Sequence, residues 1–164
     1  MRRKILVGDI HGCLATFEYL LEQININIES DSLYLLGDYI DRGPNSKGVI
    51  DKIASLIKEG FDVKPIRGNH EQMLISDHLA EVNKGWFDMA DEEFKNSFGI
   101  KNLTELPIEY IDFCKNLPFY IIEDEFIAVH AGINFRTQNP LERLEDLIWI
   151  RDWYDSIDYD WLKG

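Results

Sequence analysis

The chain has 164 residues, 45% hydrophobic and 29% charged. That suits one globular domain with a true core and excludes a disordered or fibrous chain. A formal net charge of −13 argues against nucleic acid or an anionic membrane as partner, because neither phosphate surface would be attracted. The two cysteines, Cys13 and Cys114, lie far apart and exclude a disulfide framework; Cys13 is expected to be a small packed residue. The basic start Met1-Arg2-Arg3-Lys4 leads into an apolar run too short for a signal peptide, and no stretch is long enough to span a bilayer. The expected location is the cytoplasm.

Residues 4–7 read as a short buried strand closed by Gly8. Leu14, Phe17, Leu20, Leu21 and Ile24 then recur at helical spacing. A strand over 33–36 follows, with a turn at Gly43-Pro44-Asn45 and a helix carrying Val49, Ile50, Ile53, Leu56 and Ile57 on one side. Gly60 stops that helix. A third strand is expected over 63–66, at an edge or strand end because of Pro65. Residues 71–82 read as helix. From 85 to 106 the periodicity weakens, and Trp86, Phe87, Phe94 and Phe98 suggest a small cap with its own aromatic core. Pro107 fits the first turn of a helix reaching 117. Strands over 119–122 and 126–129 would be joined by the acidic turn Glu123-Asp124-Glu125, and a last helix would cover 141–153. The alternation predicts βαβ units and a largely parallel sheet, with one domain over 1–164. Right-handed crossovers would bring the strand carboxyl ends to one side.

Those ends share a signature: Gly8-Asp9, Gly37-Asp38 and Gly68-Asn69. Glycine lets the backbone turn sharply, and the next side chain offers oxygen. Asp38 and Asp41 stand beside Arg42, a pairing that suggests metal ions holding a phosphate. Asp9, His11, Asp38, Asn69 and His130 form a nitrogen- and oxygen-rich set. Such a set suits two divalent first-row metals, manganese first and iron or zinc as alternatives, better than calcium. Asp38, central in the set, would bridge them.

Together Gly8-Asp9-Ile10-His11-Gly12, Gly37-Asp38-Tyr39-Ile40-Asp41-Arg42-Gly43, Gly68-Asn69-His70-Glu71 and His130-Ala131-Gly132 resemble the calcineurin-like metallophosphoesterases. Within that family the chain looks like the bacterial serine/threonine phosphoprotein phosphatases. The resemblance implies an α/β fold, a β-sandwich flanked by helices. It also implies that Asp9, His11 and Asp38 hold one metal and that Asp38, Asn69 and His130 hold the other. A hydroxide between the metals would attack phosphorus directly. His70 would protonate the leaving oxygen, and Asp41 would orient His70 and keep it cationic. Arg42 and Asn69 would hold the substrate phosphate, with Arg151 in Leu147-Ile148-Trp149-Ile150-Arg151-Asp152 as a looser match to a second phosphate-binding arginine. Glu71 would serve as a hydrogen-bonding neighbour of the metal ligands or as a first-turn acid.

The sequence departs from the family at one place. The further metal-binding histidine that usually follows the Trp-x-Arg stretch has no counterpart, since no histidine follows His130. The strands that would carry it are missing as well, so an incomplete second sheet with an unpaired edge, open to self-association, is expected. The leading expectation for function is hydrolysis of phosphoserine and phosphothreonine in proteins, with Glu71 after His70 taken as the mark of the phosphoprotein branch. The alternatives are a dinucleoside tetraphosphate hydrolase, acting on a small phosphorylated substrate, and a fragment that binds metal or phosphate with little turnover.

Overall fold

The computed structural model describes residues 2–79 and 85–151. Its centre is a parallel sheet in the order β1-β2-β3, made of Arg3–Val7, Asp31–Leu35 and Asp62–Pro65. Val7, Leu35 and Pro65 stand in one register row, so all three strands end together. β3 lies at the end of the sheet order, where the missing N–H of Pro65 costs no ladder bond. Side-chain alternation divides the sheet into two faces. Ile5, Val7, Leu33, Leu35 and Val63 join the main core on one face. There α1 (Leu14–Gln23) contributes Phe17 and Leu21, and α2 (Ser46–Glu59) contributes Val49, Ile50, Ile53 and Leu56. The Asn45 side chain accepts the Gly48 N–H at 2.8 Å to cap α2, and Gly60 closes it at φ 97°.

The second face carries Lys4, Tyr34 and Lys64. Over it lies an antiparallel hairpin, β4 (Tyr120–Ile122) and β5 (Ile127–Val129). Phe126 meets Tyr34 edge-on at 5.3 Å. Lys4 reaches Glu125 at 2.8 Å and Lys64 reaches Glu123 at 2.6 Å, so the acidic turn is held down by the sheet's own lysines. The two layers form the expected sandwich, and among the described residues the second sheet has two strands.

Helix α3 (Asn69–Leu79) follows β3 directly; the expected extension to 82 lies outside the described residues. In the predicted cap, α4 (Gly85–Met89) and α5 (Glu92–Phe98) bury Trp86, Phe87 and Phe94. Their rings continue through Phe98 to Tyr110 of α6 (Ile108–Asn116), at 5.0 and 4.9 Å between centroids. The last helix is shorter than its sequence suggests. A 3-10 turn at Pro140–Glu142 precedes α7 (Leu144–Trp149), which ends at an extended Ile150; Trp153 lies outside the described residues. Cys13 is also corrected: it is exposed at the start of α1, whereas Cys114 is buried. Among the described residues, no helix is long and apolar enough to cross a membrane.

Candidate metal and phosphate site

The loops that leave β1 and β2 are bonded into one platform. The N–H groups of Ile10 and His11 both donate to the Asp38 carbonyl, at 3.0 and 2.9 Å, and the Gly12 N–H donates to the Tyr39 carbonyl at 2.8 Å. Making these turns puts His11, Asp38, Asp41 and Arg42 at φ between 45° and 73°. That left-handed region costs a side-chain-bearing residue on the order of 1–3 kcal/mol and persists only where its surroundings enforce it. Gly68 packs against the backbone and carboxylate of Asp38, where a Cβ would collide.

Much of the enforcement comes from Glu71. Its fully buried carboxylate accepts the N–H groups of Asp38 (2.8 Å), Tyr39 (2.7 Å), Ile40 (3.4 Å) and Gly68 (3.0 Å), tying the β2 loop to the β3 loop. The Tyr39 hydroxyl works beside it, within 2.9 Å of the Leu35 carbonyl and 2.7 Å of the Ile66 carbonyl. Tyr39 was not singled out in the sequence, although a tyrosine buried at a strand end needs partners for its hydroxyl.

On this platform the predicted ligands converge around Asp38. His11 Nε2 lies 3.6 Å and His130 Nε2 lies 3.5 Å from Asp38 Oδ2, and Asp9 Oδ2 is 3.8 Å from His11 Nε2. Potential donor atoms of His11, Asp38 and His70 lie within 4.8 Å of one another, as do those of Asp9, Asp38 and His130. Asp38 belongs to both groups. The chemistry of the donors fits a cation. His11 Nδ1 donates to the Ile40 carbonyl at 2.9 Å, which leaves Nε2 as a buried lone pair without a hydrogen-bond partner. His130 Nδ1 likewise donates to the Leu36 carbonyl at 2.8 Å, so its Nε2 lone pair faces Asn69 Oδ1 at 2.9 Å. A cation beside them, or an Asn69 amide turned to donate its N–H, satisfies that approach.

His70 and Asp41 form a close pair, with His70 Nδ1 2.9 Å from Asp41 Oδ2 but not aligned as a hydrogen bond. Burial works against the imidazolium, but the closeness of Asp41 and the charge of Asp38 outweigh it and raise the His70 pKa. Asp41 is itself held by Ser46, whose hydroxyl accepts its N–H at 2.9 Å, and its carboxylate accepts the Asp91 N–H of the cap at 3.3 Å. No local sequence pattern announces Asp91, which lies fifty positions away. The exposed Arg42 comes within 3.5 Å of His70 Nε2 rather than pairing with Asp41 or Asp38. Arg151 is not brought to the cluster: it is exposed and donates to the Ile150 carbonyl at 3.1 Å. His78 is exposed two turns along α3 from His70.

The sequence matches the calcineurin-like phosphoesterase family over residues 3–163. A symmetrical bis(5'-nucleosyl)-tetraphosphatase of Pectobacterium carotovorum is 33% identical over 143 residues, covering 85% of this chain and 46% of that protein. One from Pectobacterium atrosepticum is 44% identical over 132 residues, covering 78% and 42%. The chain thus spans less than half the length of these relatives. A solved structure provisionally described as a diadenosine tetraphosphatase aligns with TM-score 0.61 and 26% identity, over 87% of this chain and 55% of that one. A serine/threonine phosphatase from Saccharomyces cerevisiae aligns at TM-score 0.64 but 19% identity, over 90% and 48%, a likeness of fold alone.

These findings overturn the phosphoserine and phosphothreonine expectation, because the relatives at 33% and 44% identity are named as tetraphosphatases. The physical reason is Glu71, the residue that had favoured the phosphoprotein branch. It is fully buried against backbone amides, so its place is explained by holding the loops rather than by contact with what is cleaved. The Asp38-centred donors, the fold and the family match agree: this chain belongs to the calcineurin-like phosphoesterases, a family that implies divalent metal ions.

Proposed function

We propose that the chain carries the metal centre and proton-transfer pair of a dinucleoside tetraphosphate hydrolase. The observation behind this reading is the Asp38-centred set of His11, Asp9, His130 and Asn69, with His70 and Arg42 at its rim. It stands in a chain 33% and 44% identical to proteins of that name. Divalent ions held there, manganese first on the mixed nitrogen and oxygen donors, would supply Lewis acidity and an oxygen nucleophile at neutral pH.

The remaining work falls to the chain's own residues. Arg42, exposed beside His70, grips phosphoryl oxygens through its guanidinium fork. Symmetrical hydrolysis adds one water across the central anhydride: a new P–O bond forms, the old one breaks, and two nucleoside diphosphates leave. His70 Nε2 gives its proton to the departing phosphate oxygen, while Asp41 holds Nδ1 and fixes the ring. Glu71 keeps both loops in place throughout.

The test is a substrate panel on chelator-treated protein with and without added Mn²⁺, read by chromatography of products. Metal-dependent conversion of a dinucleoside tetraphosphate to nucleoside diphosphate, well above release from a phosphopeptide, is expected. Faster phosphopeptide cleavage, or turnover that ignores chelation, would overturn the proposal.

A further inference from the structure

A groove of about 350 Å³ lies between α3, α4 and α7, within the size range of small-molecule sites. Its α3 wall starts within one turn of Asn69. Asn69 opens α3, and the lining residues Met73 and Asp77 follow one and two turns on, roughly 6 and 12 Å along the helix at its usual rise. The opposite wall, α7, is fastened next to His130, because the Ala131 N–H donates to the Leu147 carbonyl at 2.8 Å.

The lining has a definite chemistry. Trp149, 45% exposed, offers an open aromatic face. Phe119 has one face covered by the Arg67 guanidinium at 4.5 Å, and Trp86 is buried edge-on against Phe94, so both act as side walls. The charged residues of the groove are acidic. Asp77 is buried and accepts the Phe87 N–H at 2.7 Å, while Glu145 sits exposed on α7. Such a groove repels phosphate and accepts a flat ring bearing amino groups.

We propose that it binds the base of one nucleoside of the substrate, stacked on Trp149, with Glu145 accepting from the exocyclic amine. This rests on the dinucleoside reading. In a symmetrical cut, a ribose and one phosphate separate each base from its reacting phosphorus, which matches a groove one to two turns from Asn69. The acidic walls would also orient the substrate, sending the phosphates toward Arg42 and the metal donors.

The experiment compares binding of adenosine 5'-monophosphate and ribose 5-phosphate to the full chain with Mn²⁺, by calorimetry. The two probes share the phosphate and differ in the base. The wild type should prefer the nucleotide by about 5- to 150-fold, the range for stacking one base on one aromatic ring. Trp149→Phe should retain most of this preference and Trp149→Ala should reduce it to under about threefold. Trp149→Leu, which keeps apolar bulk without a ring, should behave like the alanine variant if that variant fails to fold. No nucleotide preference in the wild type, or one that survives in both ringless variants, would overturn the proposal. Preference for the nucleotide in a chain that leaves tetraphosphates uncleaved would uphold the groove and refute the activity. Tetraphosphate turnover with kcat/KM unchanged in Trp149→Ala would do the reverse.

Discussion

Replacing Glu71 by glutamine should loosen the whole site, and the size of the effect follows from the bonding pattern. Oε2 accepts from Asp38 and Gly68 at 2.8 and 3.0 Å, and Oε1 accepts from Tyr39 and Ile40 at 2.7 and 3.4 Å. Whichever way a glutamine amide turns, its NH₂ faces a pair of N–H donors, and two bonds are lost together. At about 1.5–3 kcal/mol for each bond to a charged acceptor, the loss would sum to about 3–6 kcal/mol. Burial and the nearby Asp38 raise the Glu71 pKa, so the carboxylate carries a desolvation cost that glutamine relieves. The expected net destabilisation is therefore about 2–3 kcal/mol, a large share of the ~5–15 kcal/mol that holds a domain together. Urea unfolding monitored by tryptophan fluorescence measures it, as a lower midpoint at unchanged m-value. A shift below about 0.5 kcal/mol, the size of an ordinary surface substitution, would show that the carboxylate does not hold the loops together.

Other perturbations probe separate parts of the molecule. His70→Asn should lower turnover by about 10²–10⁴-fold for alkyl phosphates and much less for aryl phosphates, whose leaving groups need little protonation; equal losses would rule out proton donation by His70. Asp38→Asn should remove most bound metal by elemental analysis, whereas His130→Ala should remove part of it, because Asp38 alone belongs to both donor groups. Asp31, far from the site, accepts from Arg3 at 2.9 and 2.6 Å and from the Asn27 N–H at 2.7 Å, and these bonds hold its carboxyl below the usual value of 3.8. A depressed carboxylate stabilises the fold above its unfolded-state pKa and loses that contribution as pH falls through the folded-state pKa. Asp31→Asn should thus lower the urea midpoint at pH 7, with the gap to wild type closing below about pH 4; a gap independent of pH would assign the effect to packing.

Hydrophobic periodicity and punctuation by glycine and proline were enough to read the three parallel strands, α1, α2 and the closing hairpin, because these elements follow local rules. The residues that gather around Asp38 were legible for the same reason, since each sits one to four residues past a strand end, and a parallel sheet brings its own strand ends together. The short α7 was misjudged because the apolar residues at 147–150 continue a helical pattern that the extended backbone of Ile150 breaks.

The sequence by itself determined the family, and it pointed to the residues that gather around Asp38 and to His70 beside Asp41. Tertiary structure decided what no short window contains. Glu71 turned from a supposed mark of substrate class into a buried anchor for two loops, Asp91 arrived from the cap to hold Asp41, and Arg151 stayed away from the cluster. The reason is physical: periodicity and motifs report the backbone a segment prefers, whereas a carboxylate's role depends on which N–H groups distant segments bring to it.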